Sequence, residues 1–145
     1  NIVYIESPAG VGYSMTNGDS IDSDDAHSAD DNLQAVISFF GKFPQFKAND
    51  FYIGGESYAG IYVPYLAWFI HKSNERGQSD INLKGTIVGN GCTNWKYDSL
   101  PATVDMALSH ALVSDDVAQK WYTNKCTAPN GVGSLLTPGF EIFEL

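Results

Sequence analysis

The apolar residues change repeatedly between a strand-like and a helix-like pattern along the first 90 positions. Short apolar runs at 2–5, 51–53 and 83–88 predict three strands. Between them, apolar residues recur at three- and four-residue spacing, which predicts two helices that each bury one face. Strands alternating with helices indicate a mostly parallel sheet with helices on its faces. The positions that carry the helical spacing are Ala26, Ala29, Leu33, Val36, Ile37 and Phe40, then Ile61, Tyr62, Tyr65, Leu66, Phe69 and Ile70.

Local signals set the limits of the first helix. Ser23 is the candidate N-cap, because its hydroxyl can accept a hydrogen bond from a backbone N–H of the first turn. Asp24 and Asp25 would then lie in that turn, where the positive end of the helix dipole favours carboxylates. Gly41 can end the helix, and Pro44 prevents it from starting again.

The pattern changes after residue 95. Two short helices are predicted at 101–112 and 114–122, followed by a tail rich in glycine and proline. We therefore expect two parts, an α/β core over 1–95 and a helical part over 96–145.

Composition and charge narrow the functional classes. Apolar residues make up 43% of the chain and charged residues 17%, which is too apolar for a disordered chain and too polar for one that lies mostly in a membrane. Eight basic against 17 acidic residues give a net charge of −9, and the basic residues are scattered. Binding to nucleic acid or to an anionic membrane surface needs clustered cations, so neither is expected. No apolar stretch is long enough to predict membrane insertion. The two cysteines form no metal-binding set.

The segment with the clearest chemical signal runs from Gly54 to Gly60, between a predicted strand and a predicted helix. A serine on such a sharp turn exposes its hydroxyl above the sheet edge, and small neighbours let the backbone bend closely. Gly55 and Ala59 flank Ser57 at two residues on either side, where the general pattern has glycine twice. The N–H groups at the helix start would favour an oxyanion. The alternative is an ordinary N-cap serine in a packed turn.

Together with other segments, this motif resembles the serine carboxypeptidase family of α/β hydrolases. The likeness covers residues 2 to about 95 and fades beyond, and Asn94 stands where Asp is expected. The segments that carry it are Gly55–Gly60 with Tyr62–Pro64; Phe39–Phe40, Phe43–Pro44, Asn49 and Phe51–Ile53; Ser7–Ser14; and Leu83–Gly85 with Val88–Thr93.

The resemblance implies an α/β-hydrolase fold, incomplete in this chain, with 96–145 as the start of a helical cap insertion. It implies that Ser57 is the nucleophile and that the backbone N–H of Tyr58 is an oxyanion donor. Gly55 and Gly60 would be the glycines of the turn. Glu56 would hold the C-terminal carboxylate of a peptide substrate. No cofactor and no metal are implied.

Glu56 can bind a substrate carboxylate only in its protonated form. Two carboxylates repel each other, so Glu56 must carry a proton, which burial and the neighbouring anion both favour. Such a site binds best in acid, which suits a lysosomal, vacuolar or secreted setting.

The resemblance also implies parts that are not among the 145 residues. The Asp and His of the triad would lie beyond Leu145, and the second oxyanion donor before Asn1. We therefore expect an internal fragment that is inactive alone and needs the rest of the parent enzyme. His110 with Asp98 or Asp105 is not expected to form a triad. His27, His71 and His110 are expected to be surface or packing residues.

Several alternatives stay open. A carboxypeptidase-like acyltransferase would use the same nucleophile, and the fragment could also be a non-catalytic binding or structural partner. An esterase or lipase is disfavoured by Glu56. The resemblance suggests a disulfide from Cys126 to a cysteine outside the chain, with Cys92 as the lesser option. One or two of the aromatic residues near the site could line a pocket: Tyr13, Tyr58, Tyr62, Tyr65 and Trp68.

Overall fold

The computed structural model describes residues 1–16, 18, 23–94 and 100–124, without the side chains of 100–103. Residue contacts divide the chain into two compact units, Asn1–Cys92 and a second that begins at Thr93. None of the described helices combines the length and apolar character that crossing a membrane requires. In chain order the elements are α1 (Asp25–Lys42), a 3₁₀ turn (Pro44–Phe46), β1 (Phe51–Glu56), α2 (Ala59–Glu75), β2 (Leu83–Gly89), α3 (Leu100–Ser109) and α4 (Asp115–Thr123).

The sheet of the first unit consists of β1 and β2, which pair in parallel. Their register runs in step from Tyr52 opposite Gly85 to Glu56 opposite Gly89, after one irregularity between Phe51 and Tyr52. Helix α2 connects the two strands, as a parallel connection requires. Both strands therefore end at the same edge of the sheet, where the turns that follow them lie side by side.

The strand predicted at residues 2–5 is wrong. These residues belong to no strand, and Ile2 and Tyr4 are 76% and 87% exposed. An apolar run indicates a preference for burial, but a strand forms only when its backbone groups pair with another strand. Within the described part of the chain, residues 2–5 have no such partner.

The core of the first unit lies between α1, α2 and one face of the sheet. Helix α1 packs on α2, and α2 packs on both strands. Tyr52 and Ile87, on the opposite face, are 55% and 66% exposed, so the described helices cover one face only. The buried cluster comprises Leu33, Val36, Phe40, Ile53, Ala59, Val63, Leu66, Ile70 and Ile81.

The N-cap of α1 is Asp24 and not Ser23. Asp24 has an extended backbone, and its carboxylate accepts a hydrogen bond from the backbone N–H of His27 at 2.7 Å. The Ser23 hydroxyl instead lies 2.8 Å from the Ser28 hydroxyl. A carboxylate at the helix start gains both a hydrogen bond and a favourable dipole interaction, which explains why Asp24 takes this position. The helix also continues through Gly41 to Lys42.

The second unit contains α3 and α4, which pack on each other. Both helices were predicted, and their limits differ from the predicted ones by one to three residues. The division between the units falls after Cys92, close to the predicted boundary at 95. The interpretation of 96–145 as part of a cap insertion stays a prediction.

A cavity series at Ile70 tests the importance of this core. Ile70 is completely buried. We expect Ile70→Ala to lower the free energy of unfolding by about 2–5 kcal/mol, and Ile70→Val by about 0.5–1.5 kcal/mol, because the larger truncation leaves the larger void. Urea unfolding of the full-length protein measures both losses.

The matched control is Val117→Ala in α4, since Val117 is 49% exposed. We expect this change to stay within about 0.5 kcal/mol of the wild type. Equal and small losses for all three variants would contradict the described core.

Candidate active site

Ser57 lies on the turn between β1 and α2, with its backbone in the left-handed region at φ +62°. Three backbone hydrogen bonds hold it there. Its N–H donates to the carbonyl of Gly89 at 3.0 Å, and its carbonyl accepts from Cys92 N–H at 2.8 Å and from Gly60 N–H at 3.1 Å. A non-glycine residue in this region costs about 1–3 kcal/mol and persists only where its surroundings impose it. The turn thus holds Ser57 in a fixed, exposed position.

Gly55 and Gly60 allow this turn to close. A Cβ at Gly55 would lie 2.5 Å from the Cβ of Ala59, and a Cβ at Gly60 would lie 2.5 Å from the carbonyl oxygen of Cys92. Ala59 is itself completely buried. The methyl group at position 59 therefore fits because position 55 is glycine, which explains how the chain accommodates its departure from the general pattern.

Tyr58 is the N-cap residue of α2, which places its backbone N–H at the positive end of the helix dipole. Its side chain reaches back to α1, where the hydroxyl donates to the two carboxylate oxygens of Asp25 at 3.0 and 3.2 Å. Partial burial, followed by the hydrogen bond to Asp25, raises the pKa of Tyr58 to about 12. The phenol is therefore neutral and able to donate throughout the physiological pH range.

Glu56 ends β1 and lies opposite Gly89, directly before Ser57. Strand alternation places it on the same face as Tyr52, which the described helices leave uncovered. Glu56 is accordingly exposed in the described part of the chain. The expected burial of Glu56 is therefore not found among the described residues.

The model of the serine carboxypeptidase family matches residues 1–136. The chain belongs to the serine carboxypeptidase family. It is 51% identical over 118 residues to serine carboxypeptidase 24 of Arabidopsis thaliana, a match that covers 79% of this chain and 25% of that protein. It is 46% identical over 124 residues to serine carboxypeptidase-like 26 of Oryza sativa, covering 83% and 26% of the two chains. This chain spans about a quarter of the length of such curated relatives.

Among solved structures, the chain is similar to a prohormone-processing carboxypeptidase from Saccharomyces cerevisiae. The TM-score is 0.68 at 23% identity, and the match covers 89% of this chain and 31% of that one. Together with the parallel sheet and its connecting helix, this likeness confirms the predicted α/β-hydrolase fold, present here in part.

Each histidine of this carboxypeptidase-family chain has a local partner. Nδ1 of His27 lies 3.5 Å from the Asp24 carboxylate, and Nε2 of His71 lies 3.1 Å from Glu75. Nδ1 of His110 lies 2.8 Å from the carbonyl of Met106. All three are exposed, as the surface interpretation predicts.

The remaining acidic and cysteine residues considered in the sequence analysis give no sign of a second site among the described residues. Asp105 accepts a hydrogen bond from the hydroxyl of Tyr122. Asp98 and Cys126 lie outside the described residues, so the triad with Asp98 and the disulfide stay untested. The described residues contain no group of acidic, histidine or cysteine side chains that could hold a metal ion.

The aromatic residues divide between core and surface. The rings of Tyr58 and Tyr62 lie 6.1 Å apart on the first turns of α2, and both are more than a third exposed. Tyr65 is buried, and Trp68 lies farther along α2 beneath the ammonium group of Lys72 at 4.5 Å. Tyr13 is 95% exposed. Tyr58 and Tyr62 are thus exposed aromatic residues close in sequence to Ser57, and a pocket lined by one or two of these rings stays a prediction.

Two contributors to the site were missed from the sequence. The acidic first turn of α1 was explained by the helix dipole alone, and nothing in the pattern showed that Asp25 contacts Tyr58. A Cβ at Gly91 would lie 2.5 Å from a methyl group of Val88 and 3.2 Å from the Cα of Gly60. Only the glycine-rich run 89–91 hinted at this close approach.

Substitution of Gly60 tests the contact between the two turns. We expect Gly60→Ala to destabilise the protein by about 1–3 kcal/mol, because the added methyl group meets the Cys92 backbone, which cannot move aside easily. Urea unfolding of the full-length protein measures the change.

Gly41→Ala in α1 is the matched control, because no atom of the described residues lies within 4 Å of the added Cβ. Alanine is the better helix former, so this variant should gain up to about 1 kcal/mol. A Gly60→Ala variant as stable as Gly41→Ala would show that the turns do not meet this closely.

Proposed function

We propose that this chain carries the nucleophile of a serine-type carboxypeptidase, which removes C-terminal residues from peptides through an acyl-enzyme on Ser57. The observation that carries this proposal is the position of Ser57, an exposed serine in the left-handed backbone region directly before α2. A nucleophilic serine in an α/β hydrolase requires this strand–turn–helix placement. Neither a cofactor nor a metal ion takes part in the proposed reaction.

The proposed chemistry divides peptide cleavage into two steps. The Ser57 oxygen attacks the last peptide carbonyl while its proton passes to a histidine, which an aspartate orients. The C–N bond then breaks, the departing amino acid takes the proton, and water hydrolyses the ester. The family resemblance assigns the histidine and aspartate to the rest of the parent enzyme.

The start of α2 supplies the proposed oxyanion donor. Tyr58 follows the nucleophile and is the N-cap residue of α2. In the proposed reaction its backbone N–H donates to the carbonyl oxygen as negative charge develops there. Because backbone hydrogen bonds already fix the position of Ser57, the turn needs little rearrangement when the serine attacks the carbonyl. The second donor would again come from outside the 145 residues.

Glu56 would select substrates that end in a free carboxylate. A protonated Glu56 can donate a hydrogen bond to that carboxylate, whereas an ionised one repels it. The proposed contact therefore needs the protonated form of Glu56. This requirement favours an acidic setting, and we propose a lysosomal, vacuolar or secreted location for the parent enzyme.

Removal of the Ser57 hydroxyl tests the nucleophile. In the full-length protein, Ser57→Ala should lower kcat for a blocked dipeptide by about 10⁴–10⁶-fold and abolish covalent labelling by a fluorophosphonate. Ser109→Ala, which removes an exposed serine of α3, should leave both unchanged.

The outcomes separate the alternatives. Labelling that survives Ser57→Ala would contradict the assignment of the nucleophile. A protein that labels at Ser57 but transfers an acyl group from an acyl glucose, without cleaving the dipeptide, would be an acyltransferase. A wild-type protein that does not label at all would support a binding or structural role.

Replacement of Glu56 by glutamine tests carboxylate recognition. Binding of free-acid peptides to the wild type should weaken as pH rises, because Glu56 loses the proton that it donates. Glu56→Gln keeps a donor but cannot ionise, so its KM for these peptides should depend less on pH. At acid pH its affinity should be about tenfold lower, because the replacement donor fits less well.

The measurement is kcat/KM between about pH 4 and 8, which spans the range over which glutamate side chains in proteins titrate. The C-terminal amide of the same peptide is the control, and it should scarcely distinguish the two proteins. Identical pH profiles of both proteins on the acid peptide would show that the carboxylate is held elsewhere.

A further inference from the structure

The side chain next to the candidate nucleophile is anchored to a different helix. The Tyr58 hydroxyl donates to both carboxylate oxygens of Asp25, at 3.0 and 3.2 Å. Asp25 is the first residue of α1 and is partly exposed. Because the phenol has a single O–H, the two carboxylate oxygens share this donor. The start of α1 is thus connected directly to the start of α2.

Helix α1 does not need Asp25 as its cap. Asp24 already accepts the hydrogen bond from the backbone N–H of His27. The carboxylate of Asp25 is instead directed to Tyr58, while the positive end of the α1 dipole favours its negative charge. Because the pKa of Tyr58 is raised to about 12, the phenol keeps its proton over the physiological pH range and can donate this hydrogen bond.

Fixing the Tyr58 side chain also constrains its backbone. The ring is held at its far end by Asp25 and lies 6.1 Å from the ring of Tyr62. The Tyr58 carbonyl accepts from the N–H of Ile61 at 2.9 Å. The N–H proposed as the oxyanion donor belongs to the peptide unit between Ser57 and Tyr58. At one end of this unit the Ser57 carbonyl accepts from the N–H groups of Cys92 and Gly60, and at the other end the anchored side chain restricts the Tyr58 Cα.

We propose that Asp25 is a positioning residue of the Ser57 site. Its carboxylate holds the Tyr58 hydroxyl and thereby orients the backbone N–H that stabilises the oxyanion. The inference rests on the proposed function, because only an oxyanion makes that orientation matter to the rate. Asp25 itself touches neither the substrate nor the reacting atoms.

The test compares four variants of the full-length protein: Asp25→Ala, Asp25→Asn, Tyr58→Phe, and Asp25→Ala combined with Tyr58→Phe. Fluorophosphonate titration counts the active serines, so that kcat refers to folded, competent protein. Steady-state hydrolysis of a blocked dipeptide then gives kcat and KM separately.

Asp25→Ala and Tyr58→Phe should each lower kcat by about 10- to 100-fold, with little change in KM, because a donor displaced by about 1 Å loses much of its effect in the transition state. The double variant should be no worse than the single ones, since both changes remove the same hydrogen bond. Asp25→Asn should recover most of the loss, because its amide oxygen still accepts from the hydroxyl.

Asp24→Ala is the matched control. It removes the neighbouring carboxylate and the helix cap, yet it leaves the bond between Asp25 and Tyr58. Its thermal midpoint should fall while kcat per active serine stays at the wild-type value.

Three results would overturn the proposal. The first is wild-type kcat per active serine in Asp25→Ala. The second is a loss in Asp24→Ala equal to that in Asp25→Ala, which would mean that Asp25 matters only for helix stability. The third is losses that multiply in the double variant. A wild-type protein that fails to label at Ser57 would instead overturn the proposed function, and with it this inference.

Discussion

The local structure of the site depends on the meeting of two turns at the carboxyl edge of β1 and β2. The backbone of Ser57 forms hydrogen bonds with Gly89, the last residue of β2, at 3.0 Å and with Cys92 in the turn that follows at 2.8 Å. These bonds hold Ser57 in a backbone conformation that it would rarely adopt alone. Parallel pairing is the precondition, because only parallel strands bring the two turns to the same edge.

Close approach of the two turns leaves no room for side chains at their contact. Gly60 lies against the backbone of Cys92, and Gly91 lies against both Val88 and Gly60. The same packing continues into the core, where Ala59 and Val63 of α2 contact the sheet. The position of the serine is therefore set by backbone hydrogen bonds and by the buried face of α2 together, so that stability and site geometry have the same source.

The two residues that flank Ser57 differ in their contacts with charged groups. Tyr58 is connected to an acidic helix start, whereas Glu56 is exposed on the uncovered face of the sheet. The two neighbours of Ser57 thus have different surroundings, since Tyr58 is held by a partner and Glu56 is exposed in the described part of the chain.

Much of this could be predicted from local patterns. Helical periodicity identified α1, α2, α3 and α4, and short β-branched or aromatic runs next to glycine identified β1 and β2. The motif around Ser57 was predictable because a tight turn needs small residues at fixed positions, and that requirement is written in the sequence itself. Such features depend on neighbours within a few residues.

Other features were decided only by tertiary structure. The run at 2–5 has the composition of a strand, but pairing depends on a distant partner that composition does not reveal. The exposure of Glu56 depends on which face of the sheet the helices cover, and the bond between Asp25 and Tyr58 joins residues 33 positions apart. The sequence by itself determined the four helices, the strands β1 and β2, and the candidate nucleophile. The contacts that fix Ser57 and Tyr58 arise from long-range packing, and the local sequence pattern does not predict the geometry of that packing.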